Sequence, residues 1–414
     1  MIAVAERARA SIVTADRVAI AGLGLDAFAA WVALPPVAAR SVLWPAIFAG
    51  AGMAAGVLGY RAGSVRLGWS AILLSPLCFG LAYLATLSSV ARLEQVFTWS
   101  TLIASMFVFA TPLIYASIGG LFSERSGVVN IGLEGMMLMG AFFGIWGADV
   151  TGSWITGVLI AMAAGGFMGL LHAFFSVHLR ADQIVGGTAI NFLAVGITGY
   201  FFIQLYGAEN IPAGVSEIPR VHLDFLKHIP PHASWLDLGS FLDKAFGNLS
   251  LMIWIAVGVV VLAHVVIFKT PIGLRIRSCG EHPRAADTVG ISVYGVRYGA
   301  VTLSGILAGA GGAFLSVGVV STFSEGMTGG RGFIALAALI FGNWRPFGAF
   351  GAALLFGFST ALAFRLQVYD HAGALPGISV YVQALPYVLT LIAVAGVVGR
   401  SIPPAAVGRP YVKQ

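Results

Sequence analysis

Long apolar segments, separated by short polar or basic stretches, set the pattern of this chain. Twelve are read from it, at residues 18–34, 41–60, 67–87, 99–119, 128–147, 154–177, 184–205, 249–268, 298–320, 332–344, 347–366 and 381–398. Most approach the ~20 residues that carry an α-helix across a hydrocarbon core of roughly 30 Å. The expectation is an all-α polytopic membrane protein with about 12 apolar segments, both ends on one side, and broken helices around a central pathway. Segment 332–344 is short for a span and has a re-entrant alternative; if it does not cross, everything after it inverts.

Composition agrees. The 414 residues are 58% hydrophobic and only 10% charged, where a soluble domain carries roughly 25% charged residues. Placing the N-terminus inside puts 16 of the 23 Lys and Arg residues on the cytoplasmic side, the asymmetry that membrane insertion favours. The net charge of +6 is then a matter of topology, and no nucleic-acid partner is implied. The opening "MIAVAERARASIVTADR" reads as a cytoplasmic lead-in to a retained segment, since it lacks a cleavage site after a short apolar core. Cys78 lies in an apolar run and Cys279 in a basic loop, so no disulfide framework is expected.

Two connections are long. Residues 206–248 are expected outside, and "SWLDLGSFLDKAF" within them places Trp235, Leu238, Phe241, Leu242 and Phe246 on one helical face. That face suits either the membrane interface or an external partner. Residues 269–297 are expected inside. There Pro283 suits the first turn of a short helix and Gly290 its stop, which fits either an ordinary basic loop or a docking element.

Small residues recur at helical spacing. Ser304, Ala308, Gly312 and Ser316 form one stripe beside Gly305, Gly309 and Ala313, and Ala161, Gly165 and Gly169 form another. Helices in lipid gain little from burying apolar surface on each other, so close backbone approach holds them. Glu134 breaks the apolar pattern. A carboxylate at mid-bilayer costs about 2.5–3.5 kcal/mol on insertion scales, and Gly127, Gly132 and Gly135 weaken the helix around it. Irregular backbone at that depth survives only where protein or water satisfies it. Asn130, four residues earlier, is expected to share its helical face. Two readings follow: Glu134 and Asn130 line a polar cavity on a broken helix, or Glu134 anchors neighbouring backbone or Arg125. Asp26, His172, Thr188, Asn191 and His264 are the other intramembrane polar groups.

The spacings of metal sites, nucleophilic triads and the phosphate-binding GxxxxGK[ST] loop do not occur. The chain is therefore expected to be no enzyme and to bind no metal. Any ATP-driven step belongs to another subunit.

Four stretches carry a resemblance: "SERSGVVNIGLEGMMLMGAF", "LRADQIVGGTAINFLAVG", "GEHPRAADTVGISVYGVRYGAVTLSGILAGAGGAFLSVG" and "GFIALAALIFGNWRPFGAFGAALLFGF". In this order they resemble the ABC-importer permeases of bacterial nucleoside and simple-sugar uptake, relatives of the ribose and branched-chain amino-acid permeases. The resemblance covers about residues 99–400. It implies a permease domain at 99–400, with an external loop at 206–248 and a cytoplasmic coupling loop at 269–297. Residues 1–98 then form an N-terminal extension with three extra spans, and 401–414 a cytoplasmic tail. The implied setting is the bacterial inner membrane. The implied partners are cytoplasmic ATP-binding subunits, an external substrate-binding protein, a second permease (related or identical) and membrane lipid, with ATP used by the partner.

By the same resemblance, Gly280, Glu281, His282, Pro283, Arg284, Ala285, Ala286 and Asp287 correspond to the ATPase-coupling loop. The substrate pathway is expected to involve Asn130, Glu134, Phe142, Phe143, Thr188 and Asn191. "GVVNIGLEGMMLMGAF" is nearest the purine-nucleoside branch, which places nucleosides ahead of simple sugars. An ion-coupled secondary transporter and a channel are the competing classes.

Overall fold

The computed structural model describes residues 2–33, 42–88, 98–207, 215–228, 238–371, 384 and 401–413. The described residues form helices α1 (Ile2–Ala33), α2 (Leu43–Arg61), α3 (Val65–Ser88), α4 (Trp99–Arg125), α5 (Leu133–Thr151), α6 (Trp154–Ala173) and α7 (Gln183–Tyr206). After them come α8 (Leu238–Phe246), α9 (Leu251–Lys269), α10 (Pro271–Glu281), α11 (Pro283–Thr288), α12 (Val293–Ala313), α13 (Arg331–Phe341) and α14 (Pro346–His371). Eight helices among the described residues are long and apolar enough to cross a membrane, which makes the chain an all-α polytopic membrane protein. Apart from residue 384, the expected segment at 381–398 lies outside the described residues, so these do not account for all twelve.

Local chemistry sets several boundaries. The Asp182 carboxylate accepts the Ile184 and Val185 N–H groups and starts α7. Thr270 caps α10, with Pro271 at its first position, and Ser292 caps α12; each fills a donor that a helix start leaves orphaned. Pro283 opens α11, and Gly290, at φ +83°, turns the chain after it. Two helices end in π-helical turns, α6 through Phe174–His178 and α12 through Phe314–Val320. The described residues of 206–248 carry more order than the sequence pattern implied. They hold short strands at Arg220–His222 and Asn248–Ser250, a 3₁₀ turn at Asp224–His228, and α8. Of the expected amphipathic face, Trp235 lies outside the described residues.

The chain divides into two compact units. The first comprises Met1–Met106, His222–Asn248 and Phe358–Arg400. Within it α1, α2 and α3 pack through small residues, with Ala19 against Gly59 and Gly56 against Ala71. Asp26 is fully buried there and accepts a 2.7 Å hydrogen bond from the Ser75 hydroxyl. Gly52 leaves the room that its carboxylate occupies. Phe241 of α8 meets Trp31 edge to face at 5.6 Å.

The second unit comprises Phe107–Val221, Leu249–Gly357 and Ser401–Gln414. Its centre is α12, against which α5 and α6 pack. The small-residue stripes make that packing possible: Gly165 lies against Gly305 and Gly309, Gly169 against Val301, and Gly312 against Met137. A side chain at any of these would strike backbone, which is the physical content of small-residue spacing in lipid.

Candidate functional site

The run read as one apolar segment from residue 128 is broken. Helix α4 ends at Arg125, and α5 begins only at Leu133. Between them Gly127 turns at φ +96°, a region L-residues other than glycine rarely enter, and the chain crosses through buried Ser126, Val128 and Asn130.

Unwound backbone in this setting needs partners, and neighbouring helices supply them. Gln183 of α7 accepts the Val129 N–H at 2.8 Å, and His172 of α6 donates to the Val129 carbonyl at 2.9 Å. Asn191 of α7 donates to the Ile131 carbonyl at 3.1 Å and accepts the Gly135 N–H at 2.8 Å. Ser123 donates to the Val128 carbonyl at 2.7 Å. Asn130 donates to the Ser304 hydroxyl of α12 at 2.9 Å and is completely buried. Each bond to the backbone replaces one that a continuous helix would have made, so the break persists at little net loss of hydrogen bonding.

Glu134 sits in the first turn of α5. Its Oε1 accepts the Gly330 N–H at 2.7 Å and its Oε2 the Gly332 N–H at 2.6 Å. These are the opening amides of α13, so one carboxylate closes the start of a second helix and lies at two helix N-termini, where negative charge is favoured. Gly332 permits the approach, since a side chain there would run into the Glu134 backbone. Of the two readings of Glu134, the anchoring one describes this geometry, with backbone as the partner and not Arg125. Asn130 precedes α5, so the two residues do not share a helical face.

Helix α13 is also held at its far end. Trp344, buried just beyond it, donates from its indole to Glu124 Oε2 at 2.6 Å, and its carbonyl accepts Arg125 Nε and Nη2 at 2.9 and 2.8 Å. Asn343 and Trp344 both carry positive φ, at 53° and 52°, a conformation that costs roughly 1–2 kcal/mol per non-glycine residue. The bonds to Glu124 and Arg125 hold that turn. At 11 residues, α13 is about 16 Å long, half of a hydrocarbon core. The segment expected at 332–344 is thus a half-length helix moored by α4 and α5.

The remaining candidates lie apart from the polar break. Phe142 is fully buried and meets Phe143 and Phe323 edge to face at 5.1 and 5.2 Å. About two turns of α5 separate it from Glu134. Thr188 is exposed on α7 and donates to the Ile184 carbonyl of its own helix at 2.9 Å. Asn130, Glu134 and Asn191 therefore converge on the break, Phe142 and Phe143 belong to an aromatic cluster, and Thr188 joins neither.

The basic end carries the second feature. Helix α11 buries Ala286 among Cys279, Val293 and Tyr411, and leaves Glu281, His282, Arg284 and Ala285 on the surface at or beside it. Val289 follows at 74% exposure, and Ile272 and Leu274 on α10 at 61% and 60%. An open cavity of about 470 Å³, lined in part by Arg275, Val289, Ile291 and Val296, adjoins them. Gly280 packs directly on the Arg125 carbonyl, so α10 touches the end of α4 where the break begins. Burial pushes the Cys279 thiol above its usual range, against the opposing pull of Arg297. No group of three or more His, Cys, Asp or Glu side chains that would suit a metal occurs among the described residues.

Sequence reading missed Gln183 and Ser304 as supports of the break, and the clamp of Glu124 and Arg125 on Trp344. Gln183 stands inside a stretch that carries the resemblance, yet its role depends on a partner 54 positions away.

Residues 102–394 match the family described as the permease component of branched-chain amino acid transport systems. The chain is 41% identical over 321 residues to the guanosine ABC transporter permease protein NupQ of Bacillus subtilis, covering 76% of this chain and 97% of that one. It is likewise 41% identical over 327 residues to the nucleoside ABC transporter permease protein NupC of Lactococcus lactis, covering 76% and 98%. A putative glucose ABC transporter permease protein, TsgC13 of Haloferax volcanii, is 34% identical over 262 residues, covering 62% and 75%. No solved structure matches the chain.

Proposed function

The chain belongs to the family of branched-chain amino acid transport permease components, and on that premise we propose that it carries nucleosides inward as one membrane subunit of an ATP-driven importer. It is a multi-pass protein of the inner membrane and a permease of the ABC-transporter kind. The cargo follows the two relatives named for guanosine and nucleosides, each matched over nearly its whole length. A simple sugar is the weaker alternative, favoured by more distant relatives. Cytoplasmic ATP-binding subunits bind and hydrolyse the ATP, and this chain binds no cofactor. An external binding protein delivers the solute, and a second permease, related or identical, completes the pair within the lipid.

One observation carries the coupling half of this reading. The exposed α11, with Glu281, His282, Pro283, Arg284 and Asp287 at or beside it, joins α10, whose Gly280 packs on α4 at the edge of the broken helix. An ATPase that moves α11 therefore pushes on the backbone that Asn130, Glu134 and Asn191 hold in place. An alternating pathway needs discrete arrangements of such elements, and a half-length helix moored through single side chains can have two.

The test is purification of tagged protein from its own host in mild detergent, with mass spectrometry of what accompanies it. An ATPase recovered with wild type, and lost when residues 281–287 are scrambled while the protein remains monodisperse, supports the reading. A protein that comes alone and still transports makes the ion-coupled carrier the better account.

A further inference from the structure

The chain ends in residues with no regular secondary structure that are nevertheless closely held. Ser401–Lys413 lies beyond the family match and shows only turns and extended backbone. An exposed terminal segment of Pro, Ala and Gly ordinarily stays unattached, because ordering it costs conformational entropy that few contacts recover. Here Pro404, Ala406 and Tyr411 are buried, and the segment is hydrogen-bonded to α10, α12, the break and the turn after α13.

The bonds run in order along it. Ile402 N–H donates to Asn343 Oδ1 at 3.0 Å, at the turn after α13. Ala405 N–H donates to Glu281 Oε2 at 3.1 Å, and Ala406 N–H to the Gly280 carbonyl at 2.8 Å. Gly408 N–H donates to the Gly127 carbonyl at 3.2 Å, inside the break. Arg297, which is 1% exposed, donates from Nη1 to the Arg409 carbonyl at 3.0 Å and from Nε to the Ser126 carbonyl at 3.2 Å. Tyr294 donates to the Tyr411 carbonyl at 3.4 Å, and Tyr411 is buried in one cluster with Ala286 of α11.

We propose that Ser401–Lys413 is a coupling strap, a positioning segment that ties α10 and α11 to the α4–α5 break and to the turn after α13, so that movement of the docking helix reaches the pathway. The proposal rests on the importer reading above. Without the strap, α11 keeps its outward face but loses its attachments to Gly127 and Asn343. The ATPase then still docks and hydrolyses ATP, while less of each cycle reaches the membrane helices.

Two variants of the full complex test this. One lacks residues 401–414. The other is Ala405→Pro, which removes the N–H given to Glu281 at a position already preceded by prolines. Both are made with Cys78→Ser, so that Cys279, buried beneath Tyr411, is the remaining thiol. Maleimide labelling of Cys279 should rise when the strap leaves. The expected result is ATPase recovery and ATP hydrolysis within about twofold of wild type, and roughly tenfold more ATP hydrolysed per solute imported, the scale on which coupling networks respond.

Unchanged stoichiometry in Ala405→Pro, or uptake and hydrolysis falling together in both variants, overturns the strap while leaving the importer reading intact. Should the truncated protein fail to assemble, the proline variant decides. A wild-type complex without ATP-dependent uptake overturns both.

Discussion

Replacing Glu134 with glutamine keeps the size of the side chain and removes its charge. In the structure both carboxylate oxygens are occupied, by the N–H groups of Gly330 and Gly332. A glutamine has one acceptor oxygen, and its NH₂ group would face the other N–H. The loss is one charge-assisted hydrogen bond, about 1.5–3 kcal/mol, and the favourable charge at two helix N-termini, about 0.3–1 kcal/mol. Together these shift the docked equilibrium of α13 by about 2–4 kcal/mol, roughly 30- to 1,000-fold at 1.4 kcal/mol per decade. Hydrogen exchange of a peptide spanning residues 326–334 reads those amides directly, and Glu134→Gln should lower their protection by that factor while α12 is unaffected. Nucleoside uptake should fall at least about tenfold if the docked α13 belongs to the transport cycle. Wild-type exchange in the glutamine variant would refute the anchoring geometry. Lowered protection with unchanged uptake would refute a part for the docked α13 in transport.

Asn191→Ala removes both partners of the α5 start and leaves the Ile131 carbonyl and the Gly135 N–H unpaired; each costs about 1–3 kcal/mol, so thermal unfolding in detergent should come at a clearly lower temperature, and an unchanged midpoint contradicts the role given to it. Gly127→Ala forces a side chain into φ +96° and onto the Arg297 guanidinium, and should lower stability by at least about 1 kcal/mol with loss of uptake, read in the same two assays. Cys279 in the intact protein should resist maleimide at pH 7 and react only slowly as pH rises. It is fully buried, its thiol is held above the ordinary range, and the thiolate is the reactive form; rapid labelling at neutral pH would contradict the packing described.

Much of the architecture is legible in the sequence because a lipid environment leaves few choices. Apolar length locates the spans, and glycine spacing locates the contacts that α6, α12 and α5 make. Pro283 and Gly290 bracket α11 by residue type alone. The glycines around Glu134 announce an interruption, but its bounds, 126–132, and the groups that hold it escape. Val128, Val129 and Ile131 look as helical as their neighbours, and the backbone is unwound by partners from distant helices, His172, Gln183 and Asn191. For the same reason the spacing of Asn130 and Glu134 suggests a shared face that the unwound segment does not provide. The tail is equally silent. It is held largely through backbone N–H and C=O groups, and Pro-Pro-Ala-Ala carries no side-chain pattern to announce that.

ATP-driven import of a nucleoside is measured by uptake of radiolabelled guanosine. The assay uses proteoliposomes containing the purified complex, with its binding protein outside and ATP sealed inside. Uptake that requires the enclosed ATP, survives a protonophore and is competed by unlabelled nucleosides but not by glucose or ribose is the predicted result. Uptake that persists without ATP and collapses with the protonophore, or that glucose competes as well as guanosine does, would contradict it.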